Sequence, residues 1–151
     1  NILGMDWDAQ GRLWEVEHGP AGGDELNLVK PAANYGWPIR SNGEHYNGDP
    51  IPDHAADDGF AQPATSWNPV IAPGGMIFYT GDQFPAWKGH ALMPGLATEA
   101  LIDVAITGTT AREAKRYGFE KRLRAIAQGP DGAIWIAEDG KDAKLLKLTA
   151  R

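Results

Sequence analysis

Twice in 151 residues the chain runs through an apolar stretch, a tight glycine turn and a return strand that carries a tryptophan. The first copy is Gly11-Arg12-Leu13-Trp14-Glu15-Val16-Glu17 and the second is Gly132-Ala133-Ile134-Trp135-Ile136-Ala137-Glu138. They follow the turns Asp8-Ala9-Gln10-Gly11 and Pro130-Asp131-Gly132, which in turn follow the apolar runs Ile2 to Trp7 and Leu123 to Ala127. Such a unit is a β-hairpin with an aromatic on its return strand. A weaker third copy, Trp87-Lys88-Gly89-His90-Ala91-Leu92-Met93, places its glycine 43 residues before Gly132. Short strands repeating every ~40–50 residues are the mark of propeller blades.

Gly11 and Gly89 lie 78 residues apart, one blade plus an insertion. The segment His18 to Trp67 supplies it, rich in Gly, Pro, Asn and Asp and with little periodicity. A loop that long is usually functional rather than a connector. With 19 Gly and 11 Pro, turns and short strands are favoured over long helices. Only Thr110 to Lys121 has helical density, and it reads equally as a polar strand. The expectation is an all-β chain holding about three blades, against a β-sandwich with coincidental tryptophans. Propellers close with roughly four to eight blades, so this chain leaves open edges for missing N-terminal blades. It starts in strand-like sequence without a Met and reads as a piece of a longer protein, residues 1–151 forming the C-terminal part of one propeller domain.

The net charge of −6 argues against a nucleic-acid surface, which needs a basic field. No cysteine is present, which removes disulfides, thiolate metal sites and cysteine nucleophiles. No apolar run approaches the ~18 residues of a membrane span.

Three constellations carry chemistry. In His18-Gly19-Pro20-Ala21-Gly22-Gly23-Asp24-Glu25, Gly19 and Pro20 offer consecutive carbonyls, and Asp24 or Glu25 a carboxylate. Calcium takes such hard oxygens, although spacing alone fits a solvated polar turn as well. In Lys121-Arg122-Leu123-Arg124, a strand points Arg122 and Arg124 the same way, a two-pronged clamp suited to carboxylates or phosphates. Tyr35, Trp37, Tyr46, Trp67, Phe78, Tyr79 and Trp87 sit in turn-rich sequence and are either core or cleft lining, with Trp67 a candidate sugar contact. The histidines 18, 45, 54 and 90 show no metal-ligand spacing.

The run Glu17-His18-Gly19-Pro20, then Gly23-Asp24-Glu25-Leu26-Asn27, continues into Asn34-Tyr35-Gly36-Trp37-Pro38. Together with Ile71-Ala72-Pro73-Gly74-Gly75-Met76, Phe78-Tyr79-Thr80-Gly81-Asp82, Phe84-Pro85-Ala86-Trp87-Lys88-Gly89 and Arg122-Leu123-Arg124, it strongly resembles the soluble aldose dehydrogenases of the glucose/sorbosone type. The resemblance implies a six-bladed propeller that uses pyrroloquinoline quinone and Ca2+ to oxidise the C1 hydroxyl of an aldose to the lactone. It also implies an external electron acceptor and a periplasmic or secreted location. It further implies that Gly19 and Pro20 give carbonyls to the calcium that holds the quinone. Glu25 and the Tyr35 carbonyl match a second calcium site, with Asp24 in support. By the same resemblance Asn1, Arg122 and Arg124 would contact the quinone. The catalytic histidine of the pattern lies upstream of this chain. A cofactor-contacting lysine of the pattern falls on Ala97, which favours the alternative of a non-catalytic propeller used for binding. A related calcium-dependent lactonase is the third option, and its cluster of inward carboxylates is not seen.

Overall fold

The computed structural model describes residues 1–150, and strands dominate it. Strands β1 (Ile2–Trp7), β2 (Leu13–Glu17), β4 (Asp24–Leu28) and β6 (Thr65–Trp67) form one antiparallel sheet in the order β1-β2-β4-β6. Strands β3 (Ala21–Gly22) and β5 (Gly43–Glu44) make a small ribbon beside it. The second sheet runs β7-β8-β9-β10, from β7 (Ile77–Phe78), β8 (Ala91–Pro94), β9 (Ala100–Thr107) and β10 (Thr110–Gly118). The third is β11 (Leu123–Gln128), β12 (Ile134–Glu138) and β13 (Leu145–Leu148). The first strands touch in succession, β1 against β7 and β7 against β11. Meanders arranged this way around an axis are propeller blades, and the chain holds three.

Both tryptophan repeats are the expected hairpins. Gly11 (φ +73°) and Gly132 (φ +79°) turn the chain, with Trp7 opposite Leu13 and Gln128 opposite Ile134. The third copy departs from them: a short 3-10 turn, Pro85–Trp87, widens the connection between β7 and β8. Thr110 to Gly118 is a strand, because the turn at Gly108 folds it back on β9 as an outer edge that alternates in exposure. The segment expected as one loop from His18 contains β3 to β6. The wrap proper runs from 29 to 64 and returns to β6.

Strand periodicity builds two cores. In the second blade, Ala91 and Met93 pack with Ile102 and Val104 toward the first blade. Leu92 and Leu101 point the other way, toward Leu123, Ile134 and Ile136 of the third. Successive side chains of a strand face opposite sides, so a blade with neighbours on both sides reads as a continuous apolar run. The first blade has a neighbour on one side only. Trp14, Val16 and Leu26 face the second blade, while Met5 and Trp7 stand 59% and 60% exposed. Among the described residues no helix is long and apolar enough to cross a membrane.

The inner strands approach closely enough to select glycine. A Cβ on Gly4 would meet the Met76 nitrogen at 2.5 Å, and one on Gly74 would collide with the Arg124 carbonyl oxygen. Nothing lies within 4 Å of a Cβ on Gly75. Gly74→Ala is therefore expected to cost about 1–3 kcal/mol of stability through overpacking. Gly75→Ala, one residue away, is expected to stay within about 0.5 kcal/mol of wild type. Denaturant melts check this, and equal losses at the two positions would contradict the blade contact.

Candidate functional site

Because the sheets are antiparallel meanders, every strand that begins on one face of the molecule is followed by one that ends there. That face collects residue 1, the 18–23 loop, the 68–76 segment, the 95–99 turn, residues 119–122 and residues 139–144. Asn1, Gly19, Pro20, Ala97 and Arg122 thus come to one side although 121 positions separate the first from the last.

Asp24 ties this face together. Its side chain is fully buried, and Oδ1 accepts the Gly19 N–H at 2.9 Å while Oδ2 accepts the Ala72 N–H at 2.6 Å. The first contact shapes the Gly19-Pro20 loop, and the second anchors it to the second blade. Ala72 takes the left-handed conformation, φ +52°, a strained setting for a residue with a Cβ. Burial pushes the Asp24 pKa up, against the pull of the two N–H bonds and of His18. Asp24 thus acts as a stitch between the two loops, one residue before Glu25. The carbonyls of Gly19 and Pro20 accept no hydrogen bond among the described residues.

Glu25 and Asn27 of β4 stand opposite Glu17 and Glu15 of β2, all on the face of the first blade that points away from the second. The 29–64 wrap folds over them and leaves Glu15 and Glu25 only 4% exposed. Burial, followed by repulsion from Glu17, pushes both carboxyls up to about 7, and a hydrogen bond from Asn27 opposes the shift. Oxygen atoms of Glu15 and Asn27 are buried without a partner. His54 Nε2 lies 3.2 Å from Glu25 on one side and Nδ1 3.8 Å from Asp58 on the other, where burial holds the ring pKa down. Among the described residues no group of three or more His, Asp or Glu side chains forms a ready metal cage. A cation here would draw on backbone oxygens too, and the orphaned oxygens beside Glu25 suit a hard divalent ion.

A cavity of about 420 Å³ opens beside this cluster, lined by Glu17, Gly19, Pro20, Glu25, Tyr35 and the aromatics Trp37 and Tyr46. Asn1 also lines it, and its carbonyl accepts the His18 N–H at 3.0 Å. Trp67 does not reach the cavity. It is buried in the core of the first two blades with its indole N–H donated to Glu113, so the sugar contact proposed for it is corrected. Phe78, Tyr79 and Trp87 are likewise core.

Arg122 and Arg124 stand apart from the cavity, two blades away. Leu123 between them is fully buried in the opposite direction, as strand alternation requires. The two guanidiniums share Asp139, a residue that sequence reasoning missed because 15 and 17 positions separate it from its partners. Glu15 and Asn27 were also missed. Their signal was legible, since Glu15-Val16-Glu17 and Glu25-Leu26-Asn27 each put polar groups on one face and a core residue on the other.

The family model of the glucose/sorbosone dehydrogenases matches residues 1–147. The chain is 35% identical over 143 residues to the aldose sugar dehydrogenase YliI of Escherichia coli, covering 92% of this chain and 38% of that protein. It superposes on the apo crystal structure of the soluble aldose sugar dehydrogenase of Escherichia coli with a TM-score of 0.91 and 34% identity, covering 100% of this chain and 45% of that one. The PQQ-bound aldose sugar dehydrogenase of Streptomyces coelicolor matches with a TM-score of 0.71 and 30% identity, over 99% of this chain and 43% of that one. The chain spans less than two fifths of the length of the curated relatives it matches.

The raised carboxyls fix the sign of a pH effect. The folded chain holds protons on Glu15 and Glu25 up to about pH 7, whereas the unfolded chain releases them near 4.5. Stability they contribute is full below pH 4.5 and is lost as pH rises toward about 7. Without divalent cations the thermal midpoint is expected to fall between pH 5 and pH 8, and Glu25→Gln to flatten that fall. Calcium is expected to raise the midpoint at pH 8 more than at pH 5. A midpoint that climbs with pH in the absence of metal would contradict the buried cluster.

Proposed function

Because this chain belongs to the glucose/sorbosone dehydrogenase family, we propose that it forms three C-terminal blades of a six-bladed quinoprotein that oxidises the C1 hydroxyl of aldose sugars to lactones. The observation that carries the proposal is the single face on which Asp24 holds the Gly19-Pro20 loop against the second blade, with both loop carbonyls unbonded among the described residues. Pyrroloquinoline quinone and Ca2+ are the proposed cofactors. When bound, the quinone accepts the two electrons of the sugar oxidation, with calcium polarising it.

The chain's own residues hold and orient. Gly19 and Pro20 present carbonyl oxygens to a calcium at the quinone. Glu25, beside the orphaned oxygens of Glu15 and Asn27, takes part with the Tyr35 carbonyl in a second, structural calcium site. Arg122 and Arg124 present two guanidiniums to an anionic ligand, a geometry suited to bidentate carboxylate recognition. Asn1 lies at the edge of the same face. The base that removes the hydroxyl proton is proposed to sit in the upstream blades, as is a cation to replace the lysine that Ala97 lacks. An external electron acceptor completes the turnover, and a periplasmic or secreted location fits the family. Ala97, exposed on the site face, is the observation that favours a second reading, a non-catalytic propeller that binds a protein or glycan.

The complete polypeptide, loaded with calcium and the quinone, is expected to reduce an artificial dye when given an aldose. Replacing Arg122 and Arg124 together by alanine is expected to weaken quinone binding by roughly ten- to a hundredfold, the loss of charge-assisted bonds. Saturable quinone binding with no dye reduction by any aldose would favour the non-catalytic reading. The isolated chain is expected to be inactive.

A further inference from the structure

Asp139 follows β12 and reaches back across the hairpin to the start of β11. Its Oδ2 accepts a hydrogen bond from Arg122 Nε at 2.9 Å, and its Oδ1 accepts one from Arg124 Nε at 3.2 Å. Its own N–H donates to the Arg122 carbonyl at 2.7 Å, so the backbone fixes the carboxylate to the strand whose arginines it holds. The two arginine side chains are 50% and 49% exposed. Ion pairs that exposed contribute little to stability, yet this one restrains two long side chains at once. The guanidiniums hold the Asp139 carboxyl below the usual range, so the restraint is ionised at neutral pH. Both bonds use Nε, and no Nη nitrogen of either arginine has a partner among the described residues. The donor-rich ends of the two forks are left free while their stems are held.

We propose that Asp139 is a positioning residue that sets Arg122 and Arg124 as a paired fork for a planar, multiply carboxylated anion. The inference rests on the reading of the arginines as the quinone clamp and adds to it the residue that gives the clamp its geometry. Simple electrostatics predicts the opposite effect of losing Asp139. Removing a carboxylate from beside two guanidiniums strengthens the positive field and should tighten anion binding. Positioning predicts weaker binding, because each arginine must then be ordered by the ligand itself.

The test uses the complete polypeptide with calcium present and follows quinone binding by its absorbance. Asp139→Ala and Asp139→Asn are expected to raise the dissociation constant about tenfold, a shift easily resolved in such a titration, and Asp139→Glu to restore part of it. The thermal midpoint and the calcium affinity are expected to stay at wild-type values. In the apo protein, the Arg122 and Arg124 Nε–H resonances are expected to exchange slowly in wild type and rapidly in Asp139→Ala. An unchanged or tighter dissociation constant in Asp139→Ala overturns the positioning role. Unchanged quinone affinity in the Arg122→Ala, Arg124→Ala double variant, or no quinone binding by wild type, overturns the clamp reading instead, so the two failures are distinguishable.

Discussion

The two oxygens of Asp24 are divided between blades: one takes the Gly19 N–H of its own blade, the other the Ala72 N–H of the next. A buried carboxylate is costly unless its lone pairs are satisfied, and here its bonds are to backbone on two separate segments. The shape of the Gly19-Pro20 loop and the placement of the Ala72–Gly75 segment are therefore set by one side chain. Asp6 repeats the device nearer the axis, its Oδ2 accepting the Phe78 N–H at 2.7 Å. From Gly74 the backbone runs directly against the Arg124 carbonyl. Loop, inner segment and arginine strand thus form one connected mechanical path across all three blades.

The first blade shows how a propeller blade behaves at an unshared face. Toward the second blade it is apolar and closed. On its other side Met5 and Trp7 stand exposed on the inner strand, while Glu15, Glu25 and Asn27 lie buried under the 29–64 wrap. The wrap hides the polar half of that face and leaves the apolar half bare. Bare apolar strands ask for another sheet, consistent with a chain that spans less than half of its structural neighbours. The third blade has three strands, and β13 ends the sheet without a fourth partner among the described residues.

Much of this was legible in the sequence, because hairpins are local. Gly11 and Gly132, each followed three residues later by tryptophan in an alternating strand, marked the outer two blades. The middle blade was harder to read. Its strands are buried on both faces, so Ala91 to Pro94 and Ala100 to Val104 show no alternation, and its first connection is a 3-10 turn. The Gly19-Pro20 loop stood out through its Gly-Pro-Ala-Gly-Gly spelling, and the arginine pair through its strand spacing. Trp67 misled because burial of an aromatic depends on which way its strand turns, which turn-rich sequence does not say. The contacts of Asp139 with the arginines and of His54 with Glu25 were invisible for a different reason. Their partners lie 15 or more residues away across hairpin or loop, and only the folded register brings them together.

A crystal structure of the complete polypeptide, grown with calcium and pyrroloquinoline quinone, tests the proposed shelf most directly. The expected result is a calcium, identified by its anomalous signal, on the Gly19 and Pro20 carbonyls, with the quinone beside it and its carboxylates on the Nη ends of Arg122 and Arg124. Quinone bound away from this face, or a calcium-free Gly19-Pro20 loop in a quinone-loaded crystal, would contradict it.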